Sequence, residues 1–304
     1  MMQRIRIRGL FAMVAVLAMV AAACGGDETD GAGSGGGNAG EGVCATHPAD
    51  AGDLLAEICS KGTITVSTDP AYPPQSSLNV ETGEFEGFDI DVATEIANQL
   101  GVDIAWEEPN WNAIIAGNWQ GRWDMSVGSM TVTVERAEVL NFSPAYYFTP
   151  AAVAVPTDSS VSSVDQLSGT TVAVCAGCTY DHYLSGTLDI PGFDFGVSPI
   201  AEPVVKGYDT DSTAIQAVLS GQADAVMSAL PTLEKAIDKG REIKVVGEPL
   251  FYEPLSVAID KSSELDPTSL VDEVSAIVEE MHADGTLSEL SMKWFGEDLT
   301  VSAE

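Results

Sequence analysis

Ser129, Thr131 and Arg136 are the residues in this chain whose types and spacing could do chemistry together. They fall in the stretch Asp124–Arg136, DMSVGSMTVTVER, where a short strand-like run, Asp124–Val127, turns through Gly128 and Ser129 toward the start of a helix. Thr133 stands at the helix N-cap position, three residues before Arg136. Exposed backbone N–H groups, two hydroxyls and a guanidinium offering a two-bond fork are the donors a carboxylate needs when it leaves water. On spacing alone, the same residues fit equally well a strand, a turn and a surface arginine.

The second candidate is Cys175-Ala176-Gly177-Cys178, with His182 four residues further on. This spacing suits a redox-active pair, half a zinc site or a local disulfide. A thiol-exchange pair opens a helix, whereas Thr171–Val174 reads as a strand entering a glycine turn. Zinc would want four ligands, and Cys44 and Cys59 are far off in sequence. A structural disulfide is therefore preferred to a redox-sensitive ligand loop or a metal site, and neither a metal nor a cofactor is expected. With Cys24 set aside, Cys44, Cys59, Cys175 and Cys178 leave an even number for disulfides in an oxidising compartment. The simplest pairing is local, Cys44 with Cys59 around the helical run Asp53–Ile58, and other pairings stay open.

The 304 residues, 45% of them hydrophobic, have room for two domains with real cores. Residues 1–23 place Arg4, Arg6 and Arg8 before an apolar run from Leu10 to Ala23, too short to span a bilayer and typical of an export signal. Removing that leader leaves 10 basic against 46 acidic residues, a net charge of −36, which argues against a nucleic-acid partner. From Gly25 to Val43 there are nine glycines in nineteen residues, the composition of a flexible tether with a reach of roughly 25 Å.

From Lys61 onward, strand and helix signals alternate, which predicts α/β layers with largely parallel sheets. Strands are expected at Thr63–Thr68, Asp103–Trp106, Met125–Gly128, Ala151–Val155, Thr171–Cys175, Ala223–Met227, Ile243–Val246 and Ser256–Ile259. Helices are expected at Asp89–Leu100, capped by Asp89 and stopped by Gly101, and at Ser212–Leu219 and Pro231–Lys239. Near the end, Pro267 sits in the first turn of a helix that Asp284-Gly285 closes. Thr286 and Glu289 then form a capping box for Leu287–Phe295.

Taken in order, these motifs resemble the solute-binding proteins of ABC importers for polar amino acids, bacterial extracellular family 3. The likeness runs from about Lys61 to Phe295. It is carried by Ser67-Thr68-Asp69-Pro70-x-Tyr72-x-Pro74, Gly83-x-x-x-Gly87-Phe88-Asp89-Ile90-Asp91, Trp123-Asp124-Met125 through Gly128-Ser129-Met130-Thr131-Val132-Thr133-x-Glu135-Arg136, and Gly177-Cys178-Thr179-Tyr180. Ala283-Asp284-Gly285-Thr286-Leu287 and Lys293-Trp294-Phe295 complete the set. Ala21-Ala22-Ala23-Cys24-Gly25 resembles a lipoprotein processing site, with Ala21 where leucine is usual. The resemblance implies a lipid on Cys24, an extracytoplasmic position on the outer face of the cell membrane, and a monomer that meets a membrane permease.

It further implies a two-lobed, type II periplasmic-binding-protein-like fold with the ligand cleft between lobes. Residues 60–154 and 250–304 would make one lobe and residues 155–249 the other, with hinges near Ala151–Pro156 and Glu248–Ser256. Arg136 would clamp the carboxylate of an amino-acid-like ligand, helped by Thr131 and the backbone at Cys178 and Thr179. Gly128 would accept from its amino group, Tyr72 would pack on its side chain, and Asp69, Trp111 and Ser129 would line the same chamber. Gln75 stands where an aromatic residue is common, making that wall more polar. Asp89 reads as a helix cap and not as a ligand contact.

One departure bears on the ligand. The family usually has a carboxylate for the α-ammonium at the position of Ala229. Either Asp181, Asp209 or Glu253 reaches in, or the ligand lacks an ordinary α-ammonium, as in an N-alkylated or cyclised amino acid. A ligand sensor needs the same cleft and tether, and a few relatives of the fold are cleft dehydratases. With only His47, His182 and His282 in the chain, a binding protein is expected and not an enzyme.

Overall fold

The computed structural model describes residues 42–301. The leader, Cys24 and the linker up to residue 41 lie outside the described residues. Gly42 and Val43, assigned above to the linker, are docked on the folded body. At Gly42, with φ at 103°, a Cβ would come within 2.6 Å of the Gln99 carbonyl oxygen, so only glycine permits the approach. Val43 and Cys44 pack on the core beside it, and Cys44 is bridged to Cys59.

The first stretch of chain runs α1 (Leu54–Lys61), β1 (Thr63–Ser67), β2 (Ala71–Tyr72), β3 (Ser76–Leu78), β4 (Phe85–Glu86), α2 (Phe88–Leu100), β5 (Asp103–Glu107), α3 (Trp111–Ile115), β6 (Met125–Thr131) and α4 (Val134–Val139). A long strand β7 (Leu140–Pro156) leads to β8 (Thr171–Cys175), α5 (Thr179–Leu184), β9 (Val204–Tyr208), α6 (Asp211–Leu219), β10 (Ala225–Ala229) and α7 (Leu230–Asp238). A second long strand β11 (Ile243–Asp260) returns to α8 (Thr268–Ala283) and α9 (Thr286–Phe295).

One eight-stranded sheet, ordered β5-β1-β6-β11-β7-β10-β8-β9, runs through the molecule, and β2, β3 and β4 form a small separate sheet. At its two ends the sheet is parallel, β5 with β1 and β1 with β6 on one side, β10 with β8 and β8 with β9 on the other. In the middle, β7 and β11 pair antiparallel from Leu140 opposite Asp260 to Pro156 opposite Ile243. Two bodies grow from that frame. The largest core draws its buried residues from 54–147 and 255–299, joined by a smaller cluster around Trp119 and Trp123. Two further clusters draw theirs from 151–251.

The strand predicted at Ala151–Val155 is the end of the 17-residue β7, and those at Ile243–Val246 and Ser256–Ile259 are the two ends of one strand. Gly247-Glu248-Pro249 follows the first of those two predicted runs. The ladder absorbs it as a shift of register between Val246 and Phe251. Three caps also differ. Gly87, and not Asp89, is the N-cap of α2. Pro267 is the N-cap of α8, with the Asp266 carboxylate accepting from the Thr268 N–H. No capping box forms at α9, where Gly285 is the N-cap and the Asp284 carboxylate accepts from the Thr286 N–H. In each case a neighbouring group reaches the free N–H first.

Removing the Cys44–Cys59 bridge, which spans 15 residues, should lower unfolding free energy by about 3 kcal/mol in the chain-entropy account. Equilibrium denaturation of the Cys44→Ala/Cys59→Ala double variant measures this. A loss below about 1 kcal/mol would mean that packing alone secures this segment.

Candidate functional site

The turn at the end of β6 is held by hydroxyls. Ser129 has φ of 53°, a left-handed backbone that non-glycine residues seldom adopt. Three bonds impose it: its N–H donates to the Tyr146 hydroxyl at 3.0 Å, its Oγ donates to Asp89 Oδ2 at 2.7 Å, and Oγ also meets the Tyr147 hydroxyl at 2.6 Å. The Tyr146 hydroxyl in turn donates to Asp89 Oδ1 at 2.8 Å. Asp89, expected as a cap, is instead a fully buried anchor for this turn. Burial pushes its carboxyl up to about 7, against the pull of the Ser129 and Tyr146 hydroxyls.

Arg136 follows on α4, whose N-cap Thr133 accepts from the Arg136 N–H as the spacing predicts. Its guanidinium is buried, donates Nη1 to the Thr131 carbonyl and Nη2 to the Gly177 carbonyl, both at 3.0 Å, and lies 5.1 Å from the centre of the Trp111 ring. Burial lowers its pKa to about 10, so it stays charged at neutral pH. Gly177 belongs to the turn closed by the Cys175–Cys178 disulfide. Its φ of 72° and the Asn112 side chain 3.3 Å from where a Cβ would stand leave little alternative to glycine.

Asp69, Tyr72, Trp111, Gly128, Ser129, Thr131, Arg136, Cys178 and Thr179, all expected site residues, line one cavity, together with Cys175, Tyr180, Asp211 and Glu253. Gln75 does not. It is fully buried, and its Oε1 accepts from the Thr232 hydroxyl on α7 at 3.1 Å, so it joins the two bodies instead of presenting a polar wall. A second cavity beside Arg136 is larger, about 260 Å³ against about 30 Å³ for the space open to water centres, yet only Thr133 and Arg136 in its lining are buried. The convergence of buried charge singles out the smaller one.

Of the three acids named from sequence, Asp181, Asp209 and Glu253, it is Glu253 that lines the cavity. Ala229 is buried and lines no part of the cavity; Ala151 lies between it and Phe251 in the sheet, and Glu253 follows two residues along β11. Glu253 Oε2 accepts from the Thr131 hydroxyl at 2.6 Å and the Thr179 hydroxyl at 2.5 Å. Burial raises its pKa, while those hydroxyls and nearby Arg136 pull it down. Asp181 instead accepts from the Gly177 N–H, and Asp209 lies outside the cavity. Asp211 went unrecognised because Thr210-Asp211 reads as a helix start, which it also is. Burial lifts Asp211 to about 7 even as the Ser228 hydroxyl donates to it. Cys175, Cys178 and Asp211 place donor atoms within 4.8 Å of one another, but the two sulfurs are bonded together and offer no thiolate.

The two bodies touch around this cavity. Besides Arg136 with Gly177 and Gln75 with Thr232, the Tyr72 and Tyr180 hydroxyls meet at 3.2 Å, the Ser212 hydroxyl donates to the Ala71 carbonyl at 2.6 Å, and the Val134 N–H donates to the Asp189 carbonyl at 3.0 Å. With about 30 Å³ open to water centres, the cavity is small. Anything of amino-acid size therefore needs the bodies to part or the lining to shift.

Comparison with known proteins identifies the family. The model of the bacterial extracellular solute-binding proteins, family 3, matches residues 64–297. The chain belongs to that family. Among its members, the L-cystine-binding protein TcyJ of Escherichia coli K12 is 30% identical over 81% of this chain and 88% of its own length. The L-arginine-binding protein of Pseudomonas aeruginosa PAO1 is 26% identical over 78% of this chain and 89% of its own. A solved ancestral amino acid-binding protein, AncCDT-1, described as a precursor of cyclohexadienyl dehydratase, superposes with a TM-score of 0.67 at 30% identity, covering 79% of this chain and 99% of its own. The fold of these structural neighbours is the two-lobed one.

Because burial lifts the Asp89 carboxyl from its ordinary 3.8 to about 7, the fold holds this proton more tightly than the unfolded chain does. The resulting stability is greatest at low pH and is lost as pH rises through 7; Asp211 acts in the same direction. Melting temperature should therefore fall between pH 5.5 and 8, and less steeply in Asp89→Asn. An unchanged slope in that variant would show that Asp89 is ionised throughout.

Proposed function

We propose that this chain is the capture component of an ABC importer, binding an amino acid or a close derivative in the interlobe cleft and delivering it to a membrane permease. In this reading residues 60–154 and 250–304 form one lobe, residues 155–249 the other, and the long strands carry the hinge. A lipid on Cys24 and the glycine-rich tether hold the monomer on the outer face of the membrane. The observation that carries the reading is the buried Arg136 guanidinium beside the Thr131 and Thr179 hydroxyls, at a point where groups from both bodies meet. A ligand carboxylate drawing on Arg136 and the Thr179 turn would add contacts made only when the lobes are together. Its binding energy would thus be spent on closure, and the closed form would present the surface a permease reads.

Catalysis has less support. Among the described residues no histidine or lysine lines the cavity, and Glu253 and Asp211 are engaged by hydroxyls. The two curated relatives named above are binding proteins.

Two measurements test the proposal. In thermal unfolding against the standard amino acids, a ligand at 100 times its Kd should add about 2.7 kcal/mol of stability. Arg136→Ala should weaken binding by 100-fold or more in calorimetry, since removing one side of a buried charged contact costs about 3–5 kcal/mol. Circular dichroism of that variant should match the parent. Arg136→Lys, which keeps the charge without the fork, should fall between the two. Full affinity in Arg136→Ala would remove Arg136 from the site.

A further inference from the structure

The cavity is unbalanced in charge. Three carboxyl side chains line it, Asp69, Asp211 and Glu253, against one guanidinium, Arg136. Among the described residues no lysine, arginine or histidine forms an ion pair with any of the three; the ion pairs are His47–Asp53, Lys61–Glu57 and Lys293–Asp91. A ligand carboxylate on Arg136 would cancel the single positive charge and leave all three acids uncompensated. An α-ammonium near Glu253 would balance one.

The other two acids remain, and they come from opposite bodies. Asp69 lies just after β1, which contributes Ile64 and Val66 to the first core, and its Oδ1 accepts from the Ala71 N–H at 2.9 Å. Asp211 opens α6, which contributes Ala214 and Ile215 to the second, and its Oδ1 accepts from the Ser228 hydroxyl. The second oxygen of each receives no donor from another described residue. Asp211 is only 4% exposed, so water does little to screen its charge. Bringing the bodies together therefore sets two carboxyl groups on one small cavity, an arrangement that like charges oppose and a cation between them would favour. The Tyr72 and Tyr180 rings, one from each body, add apolar faces and π surfaces that suit an alkyl stem ending in a cation.

We infer that the ligand is a basic amino acid: a carboxylate for Arg136, an α-ammonium for Glu253, and a distal ammonium or guanidinium held between Asp69 and Asp211. The inference rests on the amino-acid capture reading above and adds the charge class of the solute. It makes Asp211 and Glu253 the residues that set specificity, because each answers a different positive centre.

Arginine and citrulline have nearly the same shape and differ by that distal charge, so calorimetry on the mature chain with the two compounds tests the inference directly. L-arginine should bind at least 30-fold more tightly than L-citrulline, and L-lysine more tightly than L-glutamine. In Asp211→Asn, which preserves side-chain shape, the arginine-to-citrulline preference should shrink by tenfold or more. In Glu253→Gln, N-α-acetyl-arginine, which lacks the α-charge, should lose less affinity than arginine does. Tight binding of citrulline or glutamine with no preference for the charged partner would overturn the charge class and leave amino-acid capture standing. No binding by any amino acid, charged or neutral, would overturn both.

Discussion

The antiparallel pairing of β7 with β11 is the constraint on which the rest of the molecule depends. These two strands cross between the bodies, and each contributes to both halves of one continuous sheet. Because they are hydrogen-bonded to each other, motion of one body against the other is channelled into bending of a two-stranded ribbon and not into free rotation about single linkers. The register shift between Val246 and Phe251 lies on that ribbon. A local loss of ladder bonds is a natural place for such bending, since fewer bonds must be disturbed there.

The same ribbon carries chemistry. Tyr146 and Tyr147 on β7 fix the Ser129 turn through Asp89, and Glu253 on β11 engages hydroxyls from both sides of the cleft. The elements that govern lobe position thus also govern where the cavity's charges stand. In the proposed reading, a ligand that engages Arg136 and Glu253 would bear on closure without any separate relay, because the groups it would touch are attached to the crossing strands or immediately beside them.

Buried and half-buried carboxyls recur in this site for different reasons. Asp89 is fully enclosed by hydroxyls and rigidifies a strained turn; Asp69, Asp211 and Glu253 face a cavity and keep capacity for a guest. Desolvation raises the pKa of all four. A cation entering would oppose that shift for the three that face the cavity, while Asp89 is shielded from it by its own partners.

The sequence by itself determined the local pieces. The Thr133 cap before Arg136, the helical run over Asp53–Ile58, the Gly101 stop of α2 and the Gly-Ser turn are all short-range, and side-chain periodicity and capping chemistry depend on neighbours a few residues away. Nine of the ten residues expected at the site line one cavity in the folded chain. Tertiary structure alone decided which of the three named acids lines the cavity, that Gln75 ties the bodies together, and that Asp89 anchors instead of caps. Those outcomes depend on strand register and on contacts such as Thr179 with Glu253 or Gln75 with Thr232, between residues 74 and 157 positions apart. A one-residue change of register would send a different side chain into the cavity, and no local pattern in the chain records which register the folded sheet adopts.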